Sequence, residues 1–265
     1  MTLTDLALFR SAELVPTDAP LYDPTAVAEE AVLATLAVAG RLSADTLLSP
    51  AGQSLVRAAD PATLPTLAYG ADGTGAGPDT SAEYALRGRL VVGLPDDFHA
   101  LVRVRLSRWT AALDTVLTAG SGLDPYPHDA RYGASVVGNA RVDRPQAFIR
   151  AHVFAPDDFP TPPSDPADAS GGRLRSALVL APAFDPETGA VDTVAEILYV
   201  PERPDPERLR GTLRDAVAWE TAGRLLGQDA ETRGLAADAA ARAEAVLRTL
   251  PAKAASIAVR GGLLF

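Results

Sequence analysis

The side chains best suited to chemistry are few and spread out. Asp96-Asp97 stand just before His99, and Asp157-Asp158 follow His152. Carboxylates beside an imidazole are the donor set of a metal site or of an acid–base hydrolase. Only the fold decides whether such side chains converge, and both groups also read as solvated turn aspartates at strand ends. Asp165, Asp168 and Ser170 offer oxygens to a calcium ion, but their spacing matches no EF-hand loop. The run Gly70-Ala71-Asp72-Gly73-Thr74-Gly75-Ala76-Gly77 invites a phosphate-loop reading. It lacks the closing Gly-Lys-Ser/Thr and a strand-loop-helix frame, so it reads as a flexible loop. No Gly-x-Ser-x-Gly elbow occurs. There is no cysteine, which removes disulfides, thiolate metal sites and cysteine nucleophiles. The three histidines, His99, His128 and His152, are scattered. The expectation is a chain with no catalytic residue, no cofactor and no metal.

The charge points the same way. A net charge of −10 argues against a surface built to grip nucleic acid, which neutralises phosphates with Lys and Arg. Lys253 is the sole lysine, so the basic residues are otherwise arginine. Arg103, Arg105 and Arg108 could touch DNA phosphates; they read more simply as the wet face of a strand, paired with carboxylates of neighbouring elements or subunits. Trp109 and Trp219 read as core or interface anchors. The longest apolar segment, Ala26 to Ala39, is interrupted by Glu29, Glu30 and Thr35 and is too short to span a bilayer. The opening Met1 to Arg10 has no basic stretch before an apolar run, so no secretory leader is expected.

These residues must be held by elements whose punctuation is visible. Asp23 as N-cap, Pro24 at the first helical position and Gly40 as a stop bound a helix with the stripe Val27, Ala31, Ala34 and Val38, widened by Leu33 and Leu36. A shorter helix is predicted from Ser43 to Ala59, then a long loop from Asp60 to Thr80. From Tyr84 to Val200 the pattern turns to strands. Ala100, Val102, Val104 and Leu106 alternate with Leu101, Arg103 and Arg105, and Tyr84 to Val92 is the expected pairing partner of that strand. Gln146 to Phe154 alternates too, with Phe148, Arg150, His152 and Phe154 on one side. Leu174 to Ala181 and Val191 to Val200 flank Asp185 to Gly189 and suggest a hairpin. Irregular inserts at 120–143 and 155–172 interrupt this part, the second rich in proline. Asp205-Pro206 starts a helix with Leu209, Leu213, Ala216, Val217 and Leu225 at helical spacing, and another runs from Asp229 to Leu250 before Pro251 stops it. The predicted fold class is α+β. Helices of residues 1–80 and 201–251 form a bundle, 81–200 an inserted antiparallel β-rich lobe with Pro-rich loops, and 252–265 an extended C-terminal tail.

Two segments are similar to those of tailed-phage head-to-tail adaptor (connector) proteins. The first is Leu94-Pro95-Asp96-Asp97-Phe98, leading into a strand that closes on Trp109. Pro95 fixes the approach, the aspartates cap the turn, and Phe98 buries as the strand begins. The second is Leu213 to Ala222, an Ala-rich helix bearing Trp219, followed by the Ala-rich stretch Ala230 to Leu250 and a tail. The long Pro-rich inserts depart from the family's pattern. The resemblance implies a structural virion protein in the neck between capsid and tail, assembled in the host cytoplasm. Its own copies would form a ring, commonly of twelve, beneath the portal protein and above a tail or neck protein. Double-stranded DNA would pass through the lumen as cargo, and an acidic wall suits that passage because like charge prevents sticking. No reaction, cofactor or membrane is implied.

In adaptors of this kind the C-terminal segment often reaches the portal. Residues 252–265 carry Lys253 and Arg260 and end in Leu263-Leu264-Phe265, an apolar cluster of the sort that marks a partner site. Ser256 to Val259 suit strand addition to a neighbouring sheet edge. The residues expected to bind the portal are therefore Ile257, Val259, Arg260, Leu263, Leu264 and Phe265. Three other readings stay open: a ligand- or carbohydrate-binding module on the β lobe, a hydrolase built from the dispersed aspartates, and a non-phage scaffold protein.

Overall fold

Side-chain caps at Thr2, Asp23 and Ser43 start the first three helices. In the computed structural model, which describes residues 1–15, 22–69, 88–116, 142–143, 145–161, 171–185, 187–228 and 230–251, five α-helices and two sheets are present among the described residues. The class is α+β. The helices are α1 (Leu3–Leu14), α2 (Pro24–Ala39), α3 (Ala44–Leu48), α4 (Gly211–Gln228) and α5 (Arg233–Leu247). The strands are β1 (Arg57–Ala58), β2 (Thr66–Tyr69), β3 (Arg89–Gly93), β4 (Phe98–Leu106), β5 (Gln146–Phe154), β6 (Arg173–Ala181) and β7 (Val194–Pro201).

The chain divides into two compact units. Met1–Arg57 and the chain from Tyr199 through α5 form one, and Ala58–Leu198 form the other. Residues 58–69, grouped with the helices from sequence, thus open the β unit. The first half of the predicted Asp60–Thr80 loop carries structure, because Asp60 caps a short 3-10 turn at Pro61–Thr63 and β2 follows; residues 70–80 lie outside the described residues.

In the helical unit, α4 packs against α1, α2 and α5. Asp23 caps α2 by accepting from the Thr25 amide, and Val27, Ala31, Ala34 and Val38 are buried as the spacing predicts. Leu33 does not widen the stripe; it is exposed. Two threonines are buried on these helices, Thr35 on α2 and Thr221 on α4. Each hydroxyl donates back to its own helix, to Ala31 O at 2.6 Å and Val217 O at 2.8 Å, so neither leaves an unmet polar group. Where α5 crosses α4, a Cβ on Gly223 would stand 3.4 Å from both Ala236 O and the Ala239 Cβ. Small residues let the two backbones approach.

Three helix predictions change. α1, absent from the sequence reading, is set by Thr2, which accepts from the Asp5 amide while Asp5 accepts from the Thr2 amide. The Ser43–Ala59 helix stops at Leu48. A Cβ on Gly52 would lie 2.7 Å from Thr46 O, because the chain folds back on α3 after Pro50. Asp205 caps only a 3-10 turn (Pro206–Arg208), and α4 begins afterwards at Gly211, where φ is +57°.

The four-stranded sheet runs β2-β3-β6-β5 and is antiparallel throughout. The three-stranded sheet runs β1-β7-β4. Two pairing predictions therefore fail. β3 pairs with β2 and β6 rather than with β4, which lies beside β7. β6 and β7 do not form a simple hairpin. The bond Gly189 N to Asp185 O (2.8 Å) and the Phe184–Val191 bridge make the turn, and the strands then part into different sheets. β5 matches its predicted span. Its alternation sends Ala147 and Ile149 to a core with Leu178, Leu180 and Trp109, and Phe148 and Phe154 to a second core with Val91 and Val179.

Candidate functional site

The predicted donor groups divide among separate settings. Asp96, on the turn leading into β4, is drawn to β6: Arg175 lies 3.3 Å and Arg173 3.6 Å from its carboxylate. Two cations leave it poorly placed to ligate a third. Asp158 accepts from the Ala155 amide at 2.6 Å and so closes the 3-10 turn after β5, while Asp157 is exposed beside it. His99 is exposed on β4. Among the described residues no three His, Cys, Asp or Glu side chains are grouped as a metal site would require. Gly70 to Gly77, His128, Asp165, Asp168 and Ser170 lie outside the described residues.

His152 has the most developed surroundings. It pairs with Arg175 in the β5–β6 register. Its ring meets Phe154 edge-on at 5.1 Å and Tyr69 edge-on at 6.4 Å, with Nε2 3.5 Å from the Tyr69 hydroxyl. Burial holds the imidazole below its ordinary pKa, and Asp158 opposes this in part. Phe159 stacks against Phe154 at 6.4 Å and carries the Arg175 guanidinium 5.2 Å from its centroid. The outcome is a half-buried neutral imidazole among aromatic rings, with a cation facing it. Such a group can hold a hydrogen bond, but no nucleophile stands near it among the contacts described.

Trp109 is buried, and its indole nitrogen donates to Pro182 O at 2.8 Å, as expected of an anchor. Arg105 is exposed on β4 and Arg103 half-buried. Arg108 reaches Asp185 at 3.9 Å, pairing with a neighbouring element. The Glu187 amide donates to Asp185 and is the main reason that its carboxyl lies below the usual range.

Three clusters escaped the sequence reading. Asp192 is buried at the β7 approach, where it accepts from the Ser107 hydroxyl and from the Thr193 amide at 3.0 Å. Arg89 is fully buried on β3, 5.4 Å from the Phe148 ring. Around Trp219, Arg10 and Arg242 stand 4.9 and 4.7 Å from the indole centroid. Arg10 pairs with Asp215 at 2.8 Å and with Glu13 at 3.1 Å. Only the i, i+3 spacing of Arg10 and Glu13 was visible in advance; the other partners are far away in the chain.

The predicted portal-binding residues, Ile257, Val259, Arg260, Leu263, Leu264 and Phe265, lie outside the described residues. Among the described residues no helix is long and apolar enough to cross a membrane. No protein-family model and no curated protein matches the chain.

Proposed function

We propose that this chain is a non-enzymatic structural protein of a tailed-phage neck, an adaptor whose copies form a ring beneath the portal. The observation that carries the reading is the joining of the chain's two ends. Helices from both sides of the β-rich stretch pack in one unit, with α2 and α4 in contact. On this reading the helical unit is a bundle closed by the two ends, the β unit is a lobe inserted into it, and residues 252–265 extend as a tail. The two segments of resemblance become β4, which approaches Trp109, and the α4–α5 pair bearing Trp219. The net charge of −10 suits a lumen through which DNA passes without adhering.

The aromatic surroundings of His152 are what a ligand-binding reading would use. Phe154, however, is fully buried and Arg175 is already turned to Asp96 and Phe159, which leaves less of the cluster for a ligand. The tail supplies the test. Deleting residues 254–265 should leave the thermal stability of the subunit unchanged and abolish its association with portal rings. Unchanged portal binding by the truncated chain would remove the tail from the docking role, and lost subunit stability would show that it folds back on its own core.

A further inference from the structure

The helix α1 meets α4 and α5 through a thin apolar face supplemented by ion pairs. Of its twelve residues only Leu3, Ala7 and Ser11 are buried, one of them polar, whereas α4 buries nine and α5 buries three, all apolar. Phe9 is exposed. Leu14 and Val15, at the end of α1, pack against the Trp219 cluster, and charge adds to this thin apolar contact at both ends of the helix. At the start, the Glu207 carboxylate accepts from the amides of Leu3 (2.6 Å) and Thr4 (3.3 Å), where the helix dipole favours an anion. Towards the end, Arg10 of α1 pairs with Asp215 of α4 at 2.8 Å, and Arg242 of α5 reaches Glu13 of α1 at 4.0 Å. Both arginines stand over Trp219, which is itself buried. The side chains in these pairs are a quarter to a half exposed, so dissolved salt reaches them.

We propose that α1 is a releasable strap: it leaves α4 and α5 as one unit when ionic strength rises, uncovering Trp219, while the remaining helices stay folded. The physical basis is the difference in fastening. Apolar burial is insensitive to screening and holds α5 to α4 through Leu235, Ala236, Ala239, Ala243 and Val246, whereas α1 and its C-cap give that cluster only Leu14 and Val15. The part-exposed ion pairs of α1 weaken as the Debye length shrinks from about 10 Å at 0.1 M salt to about 3 Å at 1 M. Segments with few buried apolar contacts open below the global unfolding free energy.

Peptide-resolved hydrogen exchange on the full chain reads this directly. Amides of Leu3–Leu14 should exchange faster than those of Gly211–Gln228 at every salt concentration. Two exposed pairs together change an opening constant by roughly five- to tenfold, so α1 should speed up by that factor between about 0.1 M and about 1 M salt. Rates in α4 should not move. Glu13→Gln, and independently Glu207→Gln, should accelerate α1 at low salt and blunt its salt response. Quenching of Trp219 by acrylamide, isolated as the signal lost in Trp219→Phe, should rise in parallel. Equal exchange of α1 and α4, or an α1 rate indifferent to salt, would overturn the proposal. So would a Glu13→Gln variant in which α1 and α4 lose protection together.

Discussion

Replacing Val217 with Asp is the most severe single test of the helical unit. Val217 is fully buried on α4, the helix against which α1, α2 and α5 all pack. Losing the apolar side chain costs about 2 kcal/mol. The new carboxylate is the larger matter. Placed among apolar side chains it stays protonated in the folded chain, as buried carboxyls do when their pKa rises by three units or more. The unfolded chain ionises near pH 3.9, so at pH 7 keeping the proton costs about 4 kcal/mol, roughly three units at 1.4 kcal/mol each. The total, about 6 kcal/mol, is comparable with the whole stability of a domain. The sign with pH follows: a carboxyl with a raised folded pKa makes the variant gain stability as pH falls. Urea denaturation of Val217→Asp and of the uncharged Val217→Asn should therefore differ by up to about 4 kcal/mol at pH 7 and by less than about 1 kcal/mol near pH 4.5. A Val217→Asp protein within 1 kcal/mol of the parent at pH 7, or a gap that ignores pH, would refute the reasoning.

Gly223→Ala should be neutral or stabilising by up to about 1 kcal/mol, since a Cβ meets its neighbours at 3.4 Å and alanine is the better helix former; Gly223→Leu should force α4 and α5 apart and lower the melting temperature. Because burial holds His152 below its ordinary pKa near 6.5, the unfolded chain takes up that proton first. Stability should fall as pH drops below about 6.5, and His152→Gln should flatten that part of the pH–stability curve. Asp192→Ala should cost about 0.5–1.5 kcal/mol in chemical denaturation by removing the buried acceptor of the Ser107 hydroxyl and the Thr193 amide, both of which belong to exposed residues that water can still reach, and Ser107→Ala should cost less.

What was legible in the sequence was whatever is decided locally. Asp23, Pro24 and Gly40 bound α2 because a cap, a fixed φ and a stop act within a few residues of themselves. The alternation of Gln146 to Phe154 sorted its side chains correctly, since a strand with a core on each face must separate them. Pairing was misjudged because it is not local. β3 precedes β4 by a short turn, yet its partners are β2 and, far along the chain, β6. The Asp185–Gly189 turn was visible, but not the divergence of the strands it joins. The cluster at Trp219 draws on α1, α4 and α5, so no window of sequence contains it. α1 escaped notice because its apolar face is so thin. The aspartates at 96–97 and 157–158 were legible as turn residues, whereas the pairing of Asp96 with Arg173 and Arg175 depends on β6 lying beside that turn.

The most direct measurement of the adaptor reading is native mass and particle imaging of the purified 27.5 kDa chain, alone and mixed with portal rings. The reading predicts a closed ring of identical subunits, formed either in solution or on the portal. A chain that stays monomeric alone, and neither binds portal rings nor closes on them, would contradict it.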